Sequence, residues 1–195
     1  MPHEPPASPR EPRMVAESGP IAARTALPAL RRRPMTLADL GAVLTIEVQA
    51  YSHPWTHGNF VDSLAAGHLA EVLEGEEGRI AGYFIAMDGV DELHLLNLTI
   101  APAGQGRGHG SALLETVLAH ARARGLAQVW LEVRASNARA RSLYARRGFD
   151  EVGLRRGYYP GLRGREDAVL MRRVLHDMPA QGEAAAGTGG ADAVE

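Results

Sequence analysis

Seven consecutive residues carry the clearest chemical signal in this chain: Gln105, Gly106, Arg107, Gly108, His109, Gly110 and Ser111. They follow an apolar, strand-like stretch at 94–100 and precede a helical pattern at 111–124. A glycine-rich turn between a strand and a helix offers bare backbone N–H groups and the positive end of a helix dipole to an anion. A phosphate-bearing ligand is therefore expected. The spacing narrows which one. The dinucleotide pattern G-x-G-x-x-G ends on His109 if begun at Gly104 and on Ser111 if begun at Gly106, so neither frame fits. A Walker loop needs Lys before its Ser or Thr, and all 21 basic side chains here are Arg. What remains is Q-x-x-G-x-G, with Gln105, Gly108 and Gly110 in the named positions.

Other chemistries are poorly provided for. With no cysteine there is neither a disulfide framework nor a thiol nucleophile. Of the eight histidines, His53 and His57 stand four apart, but Pro54 breaks any shared helix face. No H-E-x-x-H pattern is present, so no metal is expected. Ser52 beside His53 is not a triad signature, and no G-x-S-x-G elbow exists.

Composition suits one compact domain: 195 residues, 45% hydrophobic and 23% charged. A net charge of −2 predicts no pull toward nucleic acid. No apolar run approaches the roughly 20 residues that span a bilayer. The first residues carry charge and proline but no apolar signal core. A cytoplasmic protein with no membrane partner, acting as a monomer or weak dimer, is expected.

The elements that must position the loop follow from periodicity and turn chemistry. Residues 1–26 and 177–195 are rich in Pro, Glu, Arg, Gly and Ala without periodicity and are expected to be disordered tails. Between them, 27–176 forms the domain. A first strand is predicted at 29–33 and a helix at 37–51, stopped by Pro54. A second helix, capped by Thr56 or Asn59, ends at Gly67. Strands are predicted at 68–74, 79–87 and 92–100, joined by hairpin-type turns. A helix at 108–124 puts Leu113, Leu114, Val117, Leu118 and Ala121 on one face. A buried strand at 128–133 leads to a helix at 137–147, ended by Gly148 in a left-handed cap. A hairpin of 152–159 and 167–174 closes the chain, with a turn at Pro160-Gly161. The fold class is α/β, a mixed sheet of about seven strands with about four helices.

With these elements in order, the chain resembles the GNAT family of acetyl-CoA-dependent N-acetyltransferases, in which the Q-x-x-G-x-G loop holds the CoA pyrophosphate. Further stretches carry a likeness to its RimI branch: Tyr51-Ser52-His53-Pro54-Trp55-Thr56, His94-Leu95-Leu96-Asn97, Trp130-Leu131-Glu132-Val133-Arg134-Ala135-Ser136-Asn137, Arg156-Gly157-Tyr158-Tyr159-Pro160 and Gly164-Arg165-Glu166-Asp167-Ala168. The resemblance covers roughly 29–175. It implies acetyl-CoA as co-substrate and, as acceptor, the N-terminal alanine of a small-subunit ribosomal protein. Gly106 to Ser111 would supply donors to the pyrophosphate, with Gln105 and Arg107 beside them. Leu98, Thr99 and Ile100 would run along the pantetheine, and Asn137 would add a contact to the CoA arm besides capping its helix. Tyr51, Trp55, Tyr158 and Tyr159 would line the acceptor groove, although Trp55 serves equally well as a packing anchor.

Acetyl transfer to an amine needs a base, a polarised carbonyl and a departing thiolate. A free α-amine has a pKa near 8, so about a tenth is neutral at pH 7; for lysine the fraction is about four in ten thousand. An N-terminal acceptor thus needs only a modest base. Glu132, within the apolar run Val129-Trp130-Leu131-Glu132-Val133, must point outward or into a polar cleft. In a cleft, a carboxylate suits a general base; outward, it would pair with Arg134 or another arginine. Tyr144 is either a core tyrosine or the acid that protonates the leaving thiolate, and the resemblance favours the acid. Glu166 and Asp167 would either attract a cationic peptide or pair with Arg163 or Arg165. Two rival readings stand beside this one: transfer to other N-termini, lysines or small amines, and a non-catalytic acetyl-CoA-binding regulator.

Overall fold

The computed structural model describes residues 30–161 and 164–175. The two predicted tails lie outside the described residues. Seven strands and four α-helices appear among those described, in the order β1 (Arg31–Pro34), α1 (Leu40–Ala50), α2 (His57–Ala65), β2 (Leu69–Glu74), β3 (Ile80–Asp88), β4 (Glu92–Ile100), α3 (His109–Ala123), β5 (Gln128–Arg134), α4 (Ala138–Arg146), β6 (Asp150–Gly161) and β7 (Gly164–Val174). They form one sheet in the order β1-β2-β3-β4-β5-β7-β6. The expected mixed α/β sheet is present. The last hairpin is longer than predicted: Pro160 and Gly161 continue β6, pairing with Arg165 and Gly164, instead of forming the turn. Proline is tolerated there because β6 is an edge strand among the described residues, with no outer partner among them for the missing N–H.

Local chemistry accounts for the helix boundaries. Thr56 and Asn59 act together at α2: Thr56 Oγ1 accepts from the Asn59 amide at 3.3 Å, and Asn59 Oδ1 accepts from the Thr56 amide at 2.9 Å. Asn137 caps α4, accepting from the Ala140 amide at 3.1 Å. Gly148 follows α4 at φ +77, the left-handed position predicted for it. Ahead of α1, Asp39 accepts the Thr36 amide at 2.8 Å and receives both arms of the Arg33 guanidinium at 2.8 Å.

The sheet is packed on both faces. On one, Val43 and Ile46 of α1 and Phe60 of α2 cover Val72, Tyr83 and Ile85. On the other, the predicted stripe of α3 (Leu113, Leu114, Val117, Leu118, Ala121) covers Phe84, Leu95 and Val129. Strand alternation assigns the faces: Tyr83 and Ile85 go to the α1 side, Phe84 and Ala86 to the α3 side.

One irregularity breaks that alternation, and it shapes the site. Between β3 and β4, Ala86 pairs with Leu95 but Ile85 pairs with Asn97, so Leu96 is an extra, bulged residue. Before the bulge, Leu93 and Leu95 face α3. After it, Asn97 and Thr99 pair with Ile85 and Tyr83, on the α1 side. β4 and β5 run parallel and pair only from Glu92↔Gln128 to Leu95↔Leu131. Beyond the bulge, β4 stays with β3 to Ile100 and β5 stays with β7 to Arg134, but the two no longer pair with each other. The sheet therefore splits along its middle.

Candidate active site

Two cavities occupy the split. The larger, about 870 Å³, lies between the end of β4, the glycine loop and α4. The smaller, about 230 Å³, lies between the diverging strands, the α1–α2 loop and β6. Both are lined by Tyr51, Leu98, Arg134, Asn137 and Ala140, so they meet there.

The larger cavity collects most of the residues expected to hold a cofactor. Leu98, Thr99 and Ile100 form one wall, with Asn137 opposite. Gln105, Gly106, Gly108, His109, Gly110 and Ser111 form the end. Gly106 (φ +81) and Gly108 (φ +86) adopt left-handed backbone conformations, which a side chain would strain. Gly108 is the N-cap of α3 and provides no side-chain cap. The first amides of α3 are therefore open to an anion, with the helix dipole behind them. Gln105 has a structural task as well: its amide nitrogen donates to the Ile100 carbonyl at 3.1 Å and its Oε1 accepts from Arg139 at 3.0 Å. It ties the loop to β4 and α4.

Arg107, expected to add positive charge, is exposed and lies outside this lining. The cations at this cavity are Arg134, Arg139, Arg146 and Arg147. Three of them belong to α4 or its C-cap, a source that periodicity did not reveal. Arg147 also donates to the Ser111 hydroxyl and pairs with Glu115 at 3.2 Å.

The smaller cavity brings together Glu132, Tyr144, Tyr51, Trp55 and Tyr159. Glu132 is partly exposed and pairs with Arg155 at 2.9 Å. Both sequence readings of Glu132 thus describe part of its setting: it lines the cleft and it has an arginine partner. Tyr144 is buried against Phe149 (5.8 Å between ring centroids) and lines this cavity instead of the larger one. Burial drives its phenol well above the ordinary value, so it keeps its proton at neutral pH. Burial, with the Glu132 charge next, pushes Tyr159 up to about 12. Arg134 stacks on the Tyr159 ring at 4.5 Å. Tyr158 lies outside the cavity, 42% exposed and edge-on to Tyr159 at 5.0 Å.

Glu166 and Asp167 are committed within the fold. Glu166 accepts the Ser136 amide at 2.7 Å and pairs with Arg134 at 3.3 Å, and the Ser136 hydrogen bonds hold its carboxyl below the usual range. Asp167 accepts the Gly157 amide at 2.7 Å. Trp55 is both anchor and lining: it packs on Phe60 at 5.4 Å, and its amide donates to Glu47 at 2.9 Å.

Glu47 and Asn97 are site residues that sequence reasoning missed. Glu47 lies under the smaller cavity, 1% exposed, on the stripe Leu40–Val43–Glu47 of α1. A carboxylate at i+7 of an apolar stripe was the available signal. Asn97 carried no comparable signal, because its inward orientation depends on the bulge at Leu96.

Several known proteins are similar to this chain. Residues 40–149 match the model of the acetyltransferase (GNAT) family. The chain is 41% identical over 133 residues to the [ribosomal protein bS18]-alanine N-acetyltransferase of Escherichia coli K12, covering 68% of this chain and 89% of that protein. It is 39% identical over 134 residues to the enzyme of that name from Haemophilus influenzae, covering 68% and 90%. The crystal structure of the ribosomal-protein-S18-alanine N-acetyltransferase from Escherichia coli superposes with a TM-score of 0.71 at 36% identity, covering 80% of this chain and 98% of that one. The split sheet, the open glycine loop at its mouth and these matches together place the chain in the GNAT acetyltransferase family.

Proposed function

We propose that this chain transfers the acetyl group of acetyl-CoA to the N-terminal α-amine of a ribosomal protein that begins with alanine, both substrates being bound at once. One observation carries the reading: a cavity suited to a phosphate-bearing cofactor meets a smaller one holding a carboxylate and a protonated phenol, at the split between β4 and β5. Acetyl-CoA would lie along Leu98–Ile100, its pyrophosphate on the amides of Gly106 to Ser111 and its phosphates near Arg139, Arg146 and Arg147. The acceptor would enter past Trp55 and Tyr159.

In this reading the α-amine binds in its neutral form, and Glu132, directly or through a water, takes one proton from the nitrogen as it attacks the thioester carbonyl. The C–N bond forms and the C–S bond breaks. The departing sulfur takes a proton from Tyr144, giving amide and thiol, and the proton held by Glu132 is released to solvent as Tyr144 regains one. No covalent acyl-cysteine is available, since the chain has no cysteine. The activity for which relatives 41% and 39% identical are named supports the choice of acceptor.

The test is to incubate the protein with acetyl-CoA and a peptide beginning Ala-Arg, alongside a blocked peptide with an internal lysine and a polyamine, and to locate the acetyl group by mass spectrometry. Acetyl on the alanine nitrogen is expected. Acetyl on lysine or polyamine, with none on alanine, overturns the reading; acetyl-CoA binding without turnover identifies a regulator instead.

A further inference from the structure

The polar groups beneath the smaller cavity form one chain of hydrogen bonds, and its direction is fixed at the inner end. Glu47, as a carboxylate, offers only acceptors. It receives the Trp55 amide at 2.9 Å, the Tyr83 hydroxyl, and Asn97 Nδ2 at 3.4 Å. Burial, with the Glu47 charge next, pushes the Tyr83 phenol well up, so Tyr83 is the donor in that pair. An asparagine that turns its NH2 toward a carboxylate must turn Oδ1 the other way. Asn97 Oδ1 indeed accepts from the Thr99 hydroxyl at 2.8 Å. Thr99 has then spent its single proton. The Tyr51 hydroxyl lies 3.0 Å from Thr99 Oγ1 and 3.4 Å from the Leu98 carbonyl oxygen. Both neighbours can only accept, so Tyr51 donates inward. Its free lone pair is left at the junction of the two cavities, both of which it lines.

We propose that Glu47 is a positioning residue which, through Asn97 and Thr99, fixes the Tyr51 hydroxyl as a hydrogen-bond acceptor for an N–H of the incoming primary amine. The inference rests on the acetyl-transfer reading above. A neutral primary amine attacking a carbonyl aims its lone pair at carbon and keeps two N–H groups. One proton leaves to the base; the other stays on the nitrogen of the product amide and needs an acceptor. A donor hydroxyl at Tyr51 would instead compete for the nitrogen lone pair. The carboxylate thus selects the useful orientation from outside contact with the reacting atoms.

Glu47→Gln tests this with little change in shape. The new NH2 faces Asn97, which turns Oδ1 inward. Thr99 then accepts from Asn97 and donates to Tyr51, whose proton swings toward the amine. Glu47→Gln and Tyr51→Phe are each expected to lower kcat/KM for the alanine peptide about tenfold, the scale of one hydrogen bond; for Glu47→Gln, at a residue that lines the smaller cavity and not the larger, the Kd of acetyl-CoA by calorimetry is expected to stay unchanged. The double variant is expected to fall no further than the worse single, whereas independent roles multiply to about a hundredfold. The preference for an alanine over an N-methylalanine terminus, which has one N–H fewer, is expected to shrink in both single variants. A multiplicative double variant, or Glu47→Gln at wild-type kcat/KM, overturns the inference. If Glu47→Gln melts below the assay temperature, Thr99→Val cuts the same chain without removing a charge, and its additivity with Tyr51→Phe overturns the inference equally. A wild-type protein that acetylates no N-terminal amine removes the acetyl-transfer reading and this inference with it; an active wild type with an additive cycle removes this inference alone.

Discussion

Glu132→Gln separates a catalytic carboxylate from a structural one. Gln has nearly the same shape, so the change removes the charge and the ion pair to Arg155 while leaving the strand intact. The stability cost is small: the Glu132 and Arg155 side chains are 27% and 52% exposed, and pairs so accessible to water contribute about 0–1 kcal/mol. For a domain of this size that is a melting shift of no more than about 4 °C. The loss of a positioned base costs far more, roughly 10²- to 10⁴-fold in kcat, or about 2.7–5.4 kcal/mol of barrier. The two effects are therefore well resolved. The assay is direct, because a chain without cysteine gives a thiol-reactive dye nothing to report except released CoA. The Kd of acetyl-CoA should not change, since Glu132 lines the smaller cavity and not the larger. Arg155→Gln is the control: it breaks the same ion pair but keeps the carboxylate, and is expected to retain turnover. A Glu132→Gln enzyme within about threefold of wild-type kcat, or an Arg155→Gln enzyme that fails as badly as Glu132→Gln, refutes the assignment.

Tyr144→Phe is expected to lower kcat by about 10- to 100-fold, less than the loss of Glu132, because a thiol with pKa near 8.5 already leaves fairly well; an unchanged rate of CoA release would remove it as the acid. Gly82→Ala would place a Cβ 2.7 Å from the Thr99 carbonyl oxygen and 2.6 Å from Ile100 Cδ1. It should cost about 1–3 kcal/mol in denaturant melts and also weaken acetyl-CoA binding, since the segment it displaces lines the larger cavity; a lowered midpoint with unchanged Kd would place the damage in the fold alone. Arg33 holds the Asp39 carboxyl down from 3.8 to about 2. That stabilisation is fully present above the unfolded value and is lost as pH falls through about 2. It is on the order of 2 kcal/mol. The urea midpoints of wild type and Asp39→Asn should thus differ at pH 7 and converge by about pH 2; a constant gap would assign the loss to something other than this ionisation.

The elements were legible where a residue's own chemistry sets them. Thr56 and Asn59 could be read as a helix start, Gly148 as a helix end, and the α3 stripe as a packing face, because each depends on neighbours within about a turn. The glycine loop was legible for the same reason: its need for open amides is written in consecutive residues. The arginines of α4 were not, since a helix that is polar on several faces does not say which of them meets a ligand. Nor was the partner of Glu132. An arginine partner was foreseen as one possibility, but Arg155 lies 23 positions on, in the edge strand β6, and pairing across β7 depends on a register that the hairpin's own sequence does not show.

The bulge at Leu96 explains why the rest of the site was hidden. Read as a regular strand, β4 alternates Leu93, Leu95, Asn97 and Thr99 on one face, which would drive an amide and a hydroxyl into the apolar contact with α3. A sequence with that conflict either loses stability or changes register. Here one extra residue moves Asn97 and Thr99 to the α1 face, where Glu47 and Tyr51 satisfy them. The same residue returns Leu98 and Ile100 to the α3 side, and beyond it β4 no longer pairs with β5. The polar pair in an otherwise apolar strand, the split that admits two substrates and the buried network under Tyr51 therefore have one geometric origin. Pairing Leu96 as an ordinary strand residue would restore alternation only by turning Asn97 and Thr99 to the α3 face, away from Glu47 and Tyr51.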